Sequence, residues 1–270
     1  MRSLLTFSPA KTALACTLLV VFLFSCSKDN DEKNTNFRLS SYTLIEIDEA
    51  PPYGIDYDTT IYNLTYDAEG KLITIEDDYG FTTKFIYDNS GALEKIEEYS
   101  SVHLRYYYLL TWLGNQVTLQ EWWSDSGTFV PWYEKEVYYF TGTDQIDKIE
   151  TYQLDDNEQW ILQHYKVYTW QNNNNIIIEA YTEDSVLTGS VNQTFDSNPN
   201  PFQNLQSCWY FMDYFLFISK NNITSISSDE MTLNFILTYN DADYPTTTYT
   251  DLTSIDEVGS LEWKFEYESY

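Results

Sequence analysis

Leu64-Thr65-Tyr66-Asp67-Ala68-Glu69-Gly70-Lys71-Leu72-Ile73-Thr74-Ile75-Glu76 recurs 21 residues later as Phe85-Ile86-Tyr87-Asp88-Asn89-Ser90-Gly91-Ala92-Leu93-Glu94-Lys95-Ile96-Glu97. Each copy reads as a strand, a tight Asp-x-x-Gly turn and a returning strand. The aspartate can bond its own backbone two residues on, and the glycine supplies a positive φ at no steric cost. Looser copies follow at 139–150, at 168–176 and at 237–245, and a second register sets Trp160 28 residues after Trp132 and Tyr168 28 after Phe140. A unit repeated at this spacing is a β-hairpin, and hairpins in series make a meander.

Composition agrees. The chain holds 25 Tyr, 15 Phe and 8 Trp but only 9 Gly, and aromatic residues suit a pleated, half-buried surface. In Trp263-Lys264-Phe265-Glu266-Tyr267-Glu268 aromatic and charged residues alternate strictly. Period two places Trp263, Phe265 and Tyr267 on a core and Lys264, Glu266 and Glu268 in water. The expected fold class is all-β, an extended antiparallel meander of serial β-hairpins. One segment breaks it: Phe202, Leu205, Trp209, Met212 and Leu216 stand at helical spacing between Asn198-Pro199-Asn200-Pro201 and Lys220-Asn221-Asn222. A short apolar helical or plug segment near 202–218 is expected there, covering the sheet's apolar face.

Tyr66-Asp67-Ala68-Glu69-Gly70-Lys71-Leu72 and Tyr87-Asp88-Asn89-Ser90-Gly91-Ala92-Leu93 resemble YD repeats, the hairpin units of Rhs-type proteins and of many Bacteroidota lipoproteins. Val130-Pro131-Trp132 and Glu158-Gln159-Trp160 are similar to the tryptophan-marked repeats of such lipoproteins. The resemblance covers roughly residues 60–250 and implies a shell or scaffold without chemistry of its own.

The N-terminus supplies an address. An apolar run over 13–24 follows Arg2 and Lys11 and is too short to span a bilayer. It ends in Leu23-Phe24-Ser25-Cys26, which looks like a bacterial lipobox, cut before the cysteine, which then carries the lipid. The expected organisation is a lipoprotein signal peptide at 1–25, a solvated acidic tether at 26–36 and an all-β hairpin-repeat domain at 37–270. Ser27 to Asn36 contains no apolar residue, so it cannot offset the entropy of ordering. An acidic stretch after a lipidated cysteine is similar to the export signal of Bacteroidota surface lipoproteins. The expected location is therefore the outer membrane, lipid-anchored through Cys26, displayed at the cell surface or held at the periplasmic face.

Removing residues 1–25, which hold two basic and no acidic residues, takes the net charge from −28 to about −30. Nucleic acid and anionic membrane surfaces are repelled by such a chain, whereas neutral glycans, cations and basic cell-surface proteins are not. Cys16 leaves with the signal, Cys26 is lipidated and Cys208 has no partner, so no disulfide framework forms. His103 and His164 are the two histidines. There is no His-Glu-x-x-His, no Gly-x-Ser-x-Gly, no phosphate loop and no Cys-His pair. No cofactor, metal or catalytic residue is therefore assigned. Asp77-Asp78 and Asp155-Asp156-Asn157-Glu158 read as solvated turn tips before they read as calcium ligands.

Trp122, Trp123, Trp132, Tyr133 and Trp160 are the candidate ligand-binding residues, since aromatic faces stack on sugar rings. Alternation sets Trp122 and Trp123 on opposite faces, which leaves at least one of them to the core. The expected role is a non-catalytic binding or scaffold module; its ligand is not fixed by the sequence, a glycan being one candidate. The competing readings are a carbohydrate-active enzyme with a carboxylate pair and an accessory subunit of an outer-membrane complex.

Overall fold

A computed structural model describes residues 37–50, 54–125, 127–142, 145–202, 205, 218–252 and 259–270. The expected signal peptide at 1–25 and tether at 26–36, with Cys26, and Cys208 lie outside the described residues. The strands are β1 (Phe37–Ala50), β2 (Gly54–Tyr66), β3 (Leu72–Asp77), β4 (Phe81–Tyr87), β5 (Leu93–Ser100), β6 (His103–Leu113), β7 (Gln116–Asp125) and β8 (Thr128–Thr141). They continue as β9 (Gln145–Leu154), β10 (Trp160–Gln171), β11 (Asn174–Thr182), β12 (Leu187–Pro199), β13 (Asn221–Ser227), β14 (Thr232–Tyr239), β15 (Pro245–Asp251) and β16 (Gly259–Ser269).

Each strand pairs antiparallel with its neighbours in sequence, as expected of a meander, but the sheet is not extended. β1 also pairs with β16, from Phe37↔Ser269 to Asp48↔Gly259, and the 16 strands close into a barrel. Closure removes the two open edges that a meander would leave with unpaired backbone groups.

Alternation along every strand separates two faces. Pairs such as Tyr42↔Phe265, Ile96↔Tyr108, Leu110↔Leu119, Tyr138↔Ile149 and Tyr168↔Ile178 point inward and belong to one buried cluster. Trp263 and Phe265 are buried, Tyr267 packs against them, and Lys264, Glu266 and Glu268 are exposed, as the alternation of β16 predicts. The outer face mixes charged and polar rows with exposed apolar side chains such as Ile61, Ile86 and Ile236. Lys95 pairs with Glu97 at 2.5 Å and Lys148 with Glu150 at 2.7 Å, and Lys84, Lys95 and Lys148 lie over the rings of Tyr99, Tyr107 and Tyr165. Thr238 bonds across to Thr246 and Thr247.

The hairpin turns follow one pattern. Asp67 Oδ1 accepts the amides of Glu69 and Lys71 while Gly70 N–H donates to the Asp67 carbonyl, with Gly70 at φ +84°. Asp88 does the same with Ser90, Ala92 and Gly91. Asn240 and Asp155 repeat the geometry with Asp243 and Glu158 in place of the glycine, at φ 63° and 59°. Just after each such turn at one end of the barrel a β-bulge follows: Thr65↔Thr74 is succeeded by Tyr66↔Leu72, and Ile86↔Lys95 by Tyr87↔Leu93. The extra residue lets Leu72 and Ile75, three apart, both face inward, which plain period two forbids.

That end is stitched as well as bulged. Tyr66 O–H donates to Leu39 O, Tyr87 O–H to Leu72 O, Trp112 Nε1–H to Leu93 O, Trp170 Nε1–H to Ile146 O and Tyr267 O–H to Pro245 O. The rings of Tyr66, Tyr87, Trp170 and Tyr267 pack against the core while Trp112 stays 43% exposed, and each polar tip satisfies a carbonyl at a bulge of the neighbouring hairpin. The tyrosine before the turn aspartate thus has a physical task in the repeat.

Sixteen strands enclose more space than wall side chains fill. At that same end, where β12 gives way to the connection that leads to β13, described residues help to fill it. Most of the expected helical or plug segment near 202–218 lies outside the described residues, but Phe202, Leu205 and Ile218 are buried in the barrel core. Phe202 meets Tyr42 and Phe265 edge-on at 5.6 and 5.7 Å. Asparagines hold the neck of this excursion: Asn200 Nδ2 donates to Ser219 O, Asn200 Oδ1 accepts Phe202 N–H, and Asn174 and Asn221 bond reciprocally. We call this the plugged end and the opposite one the rim end.

Candidate functional site: an aromatic strip at the rim end

β6, β7 and β8 are long and reach the rim end together. Between β7 and β8 the register jumps from Gln120↔Lys135 to Trp122↔Pro131, so β8 carries extra residues there. Pro131, which has no N–H for the ladder, sits in the bulge, and Gln120 Nε2 donates to Trp132 O and Glu134 O to hold the bulged backbone. The bulge turns Trp132 and Tyr133 out toward water. Their rings lie 4.2 Å apart, Trp132 meets Trp123 at 5.6 Å, and Trp123 stacks on Tyr106 at 5.0 Å. Trp123, Trp132 and Tyr133 remain 37%, 36% and 53% exposed. They form a contiguous, half-exposed aromatic cluster, hereafter the strip.

Carboxylates stand beneath the strip. Glu121, on the inner face of β7, accepts hydrogen bonds from Tyr108 and Trp123, and burial raises its pKa. Glu98 on β5 accepts from Thr83 Oγ1 at 2.7 Å, and burial pushes its carboxyl up to about 7 although Arg105 pulls it back. Tyr106 stands between the two strands. Burial raises its pKa first, and the nearby Glu98 and Glu121 add to that.

The sequence candidates divide. Trp123, Trp132 and Tyr133 come together. Trp122 faces the other way, as alternation requires, but it does not join the core: it stacks on Tyr107 at 5.9 Å, and its Nε1 is buried without a hydrogen-bond partner. Trp160 lies elsewhere, on β10 beneath the Lys135 ammonium at 4.4 Å. Tyr106 and Glu121 were not legible as site residues, since only the pairing Tyr106↔Trp123 brings them to the strip. His103 and His164 sit on different strands, β6 and β10. Asp77 and Asp155 spend their carboxylates on the amides of their own turns, and no group of three metal-ligating side chains exists among the described residues.

No known protein-family profile and no curated protein matches the chain. Solved structures do. A porin-like protein from Bacteroides vulgatus ATCC 8482 is similar over 86% of this chain and 99% of its own, at 11% identity and a TM-score of 0.43. A porin-like protein from Bacteroides uniformis ATCC 8492 is similar over 85% and 98%, at 11% identity and a TM-score of 0.40. A protein with unknown function from Bacteroides fragilis NCTC 9343 is similar over 50% of this chain and 94% of its own, at 14% identity and a TM-score of 0.27.

Proposed function

We propose that this protein is a non-catalytic glycan-binding lipoprotein, held at the outer membrane by lipid on Cys26, with its barrel in water. The exposed strip of Trp123, Trp132 and Tyr133 carries the reading. Ring faces stack on the C–H faces of sugars, and Glu121 stands within the same cluster to accept hydroxyl hydrogens. A chain with net charge of about −30 selects neutral over anionic glycans.

The distribution of charge supports a barrel in water. A membrane-spanning barrel presents an apolar band to lipid and a polar lumen. Here the apolar cluster is inside, and Lys84, Lys95, Lys135 and Lys148 occupy the outer rows. In lipid each such cation would cost about 2–4 kcal/mol near the bilayer midplane. Anchorage therefore falls to the lipobox, and Cys26→Ala should move the protein from the detergent phase to the aqueous phase on partitioning.

A panel of neutral oligosaccharides at low and high salt tests the binding reading. Affinity should change little with salt and should disappear in Trp132→Ala. Steep loss with salt would indicate a basic partner instead, and glycan turnover abolished by Glu98→Gln or Glu121→Gln would indicate an enzyme.

A further inference from the structure

We propose that the barrel wall carries a second site, separate from the aromatic strip, that takes a short zwitterionic peptide of about two residues. A cavity of about 290 Å³ opens among β10, β11, β12 and the turn between β13 and β14. At roughly 30 Å³ per water, that is space for about ten waters, which a dipeptide would displace. Its floor is Tyr168, Ile178 and Val191, and its sides are Lys166 and the Asp229-Glu230 turn.

Three observations point to a peptide. The ladder between β12 and β13 begins at Asn192↔Ser227, so the edge of β12 before it has no β13 partner. The cavity is lined there by Thr188, Gly189 and Ser190, so the backbone groups on that edge of β12 can bond the single peptide unit of a dipeptide laid across the strands. Charge is the second. Among the described residues Lys166 is the lysine that register places on the inner face, opposite Ile149 and Ala180. The acidic turn stands three strands away, about 14 Å of wall at 4.7–4.9 Å per strand. Cation and anions at opposite sides of an apolar floor suit a molecule with a carboxylate at one end and an ammonium at the other.

Gly189 is the third. Gly70, Gly80, Gly91, Gly114, Gly127 and Gly142 sit in turns at positive φ, whereas Gly189 lies inside β12 with no such φ, and a Cβ there would meet nothing within 4 Å. Neither backbone conformation nor packing calls for glycine, and it leaves the cavity clear for a ligand. At the next inward position beyond Val191, Gln193 is 4% exposed with both amide atoms unpartnered.

The probe is alanyl-phenylalanine titrated calorimetrically into the whole protein, beside its N-acetyl and C-amide derivatives. The free dipeptide should bind, and each blocked form should bind about tenfold or more weakly. Gly189→Leu should abolish binding at an unchanged melting temperature, Lys166→Met should weaken it about tenfold, and Trp132→Ala should leave it unaltered. Absence of dipeptide binding, equal binding of the blocked forms, full affinity in Lys166→Met, or displacement by a neutral hexose would each overturn the proposal, whatever the strip binds.

Discussion

The two ends of this barrel are built from the same hairpins and treat their aromatic residues in opposite ways. At the plugged end Tyr66, Tyr87, Trp170 and Tyr267 are laid against the core with their polar tips bonded to carbonyls at neighbouring bulges, and Trp112, though 43% exposed, is tied down in the same way to Leu93 O. At the rim end Trp132 and Tyr133 are pushed outward by a bulge, and their rings meet each other and Trp123. The carboxylates differ likewise. Turn aspartates are consumed by their own turns at both ends, Asp67 and Asp88 at the plugged end and Asp77 and Asp155 at the rim, but the rim end adds Glu98 and Glu121, half-buried and raised by burial. One end holds the barrel shut, and the other keeps ring faces and carboxylates available.

The contrast breaks most directly at Phe265. It is 8% exposed and packs on Phe202, so Phe265→Ala should cost about 3–5 kcal/mol. Trp132→Ala, on the exposed strip, should cost under about 1 kcal/mol. Equal losses in urea denaturation would erase the distinction between the ends. Asn200→Ala removes the side chain that joins Ser219 O to Phe202 N–H in a buried neck, and should cost about 1–3 kcal/mol by leaving both groups unsatisfied. A smaller loss would mean that the excursion after β12 does not depend on the asparagine clamp.

Glu98 sharpens the comparison through pH. Its carboxyl is raised from 4.5 to about 7 by burial, with Asp77 raising it further and Arg105 and Thr83 opposing. The folded state therefore holds this proton more tightly than the unfolded chain, so the contribution is complete below pH 4.5 and is lost as pH rises through 7. Glu97 and Glu150, whose hydrogen bonds to lysine and tyrosine lower them, act in the opposite sense at acid pH. Glu98→Gln should match the parent below pH 4.5 and exceed it by about 1–2 kcal/mol at pH 8. Parallel stability curves would show that Glu98 is solvated and the rim interior wet.

The hairpins were readable because their cause is local: Asp67 and Gly70 make their turn with no help from elsewhere. The inward face of β16 was readable for the same reason, since alternation is a property of one strand. Closure was not, because the pairing of β1 with β16 joins residues more than 200 apart, and nothing in Phe37–Ala50 marks it as the partner of Gly259–Ser269. Bulges hid the inward positions too. Leu72 and Ile75 differ in parity, so strict period two gives them to different faces. The site was half legible. Trp123, Trp132 and Tyr133 were picked out as aromatics, yet the register shift opposite Gln120 decides that Trp132 joins Trp123 while Trp160 does not. Tyr106 and Glu121 entered only through cross-strand pairing.

Amide hydrogen exchange on the Cys26→Ala protein in detergent-free buffer tests the central claim, a closed water-borne barrel secured at one end. The account predicts slow exchange along the β1–β16 seam, including Tyr42 and Phe265, and at the bulges of Leu72, Leu93 and Ile146, with fast exchange at the rim-end turns. Exchange at β1 and β16 as fast as at free strand edges, or protection that arises only after detergent is added, would contradict it.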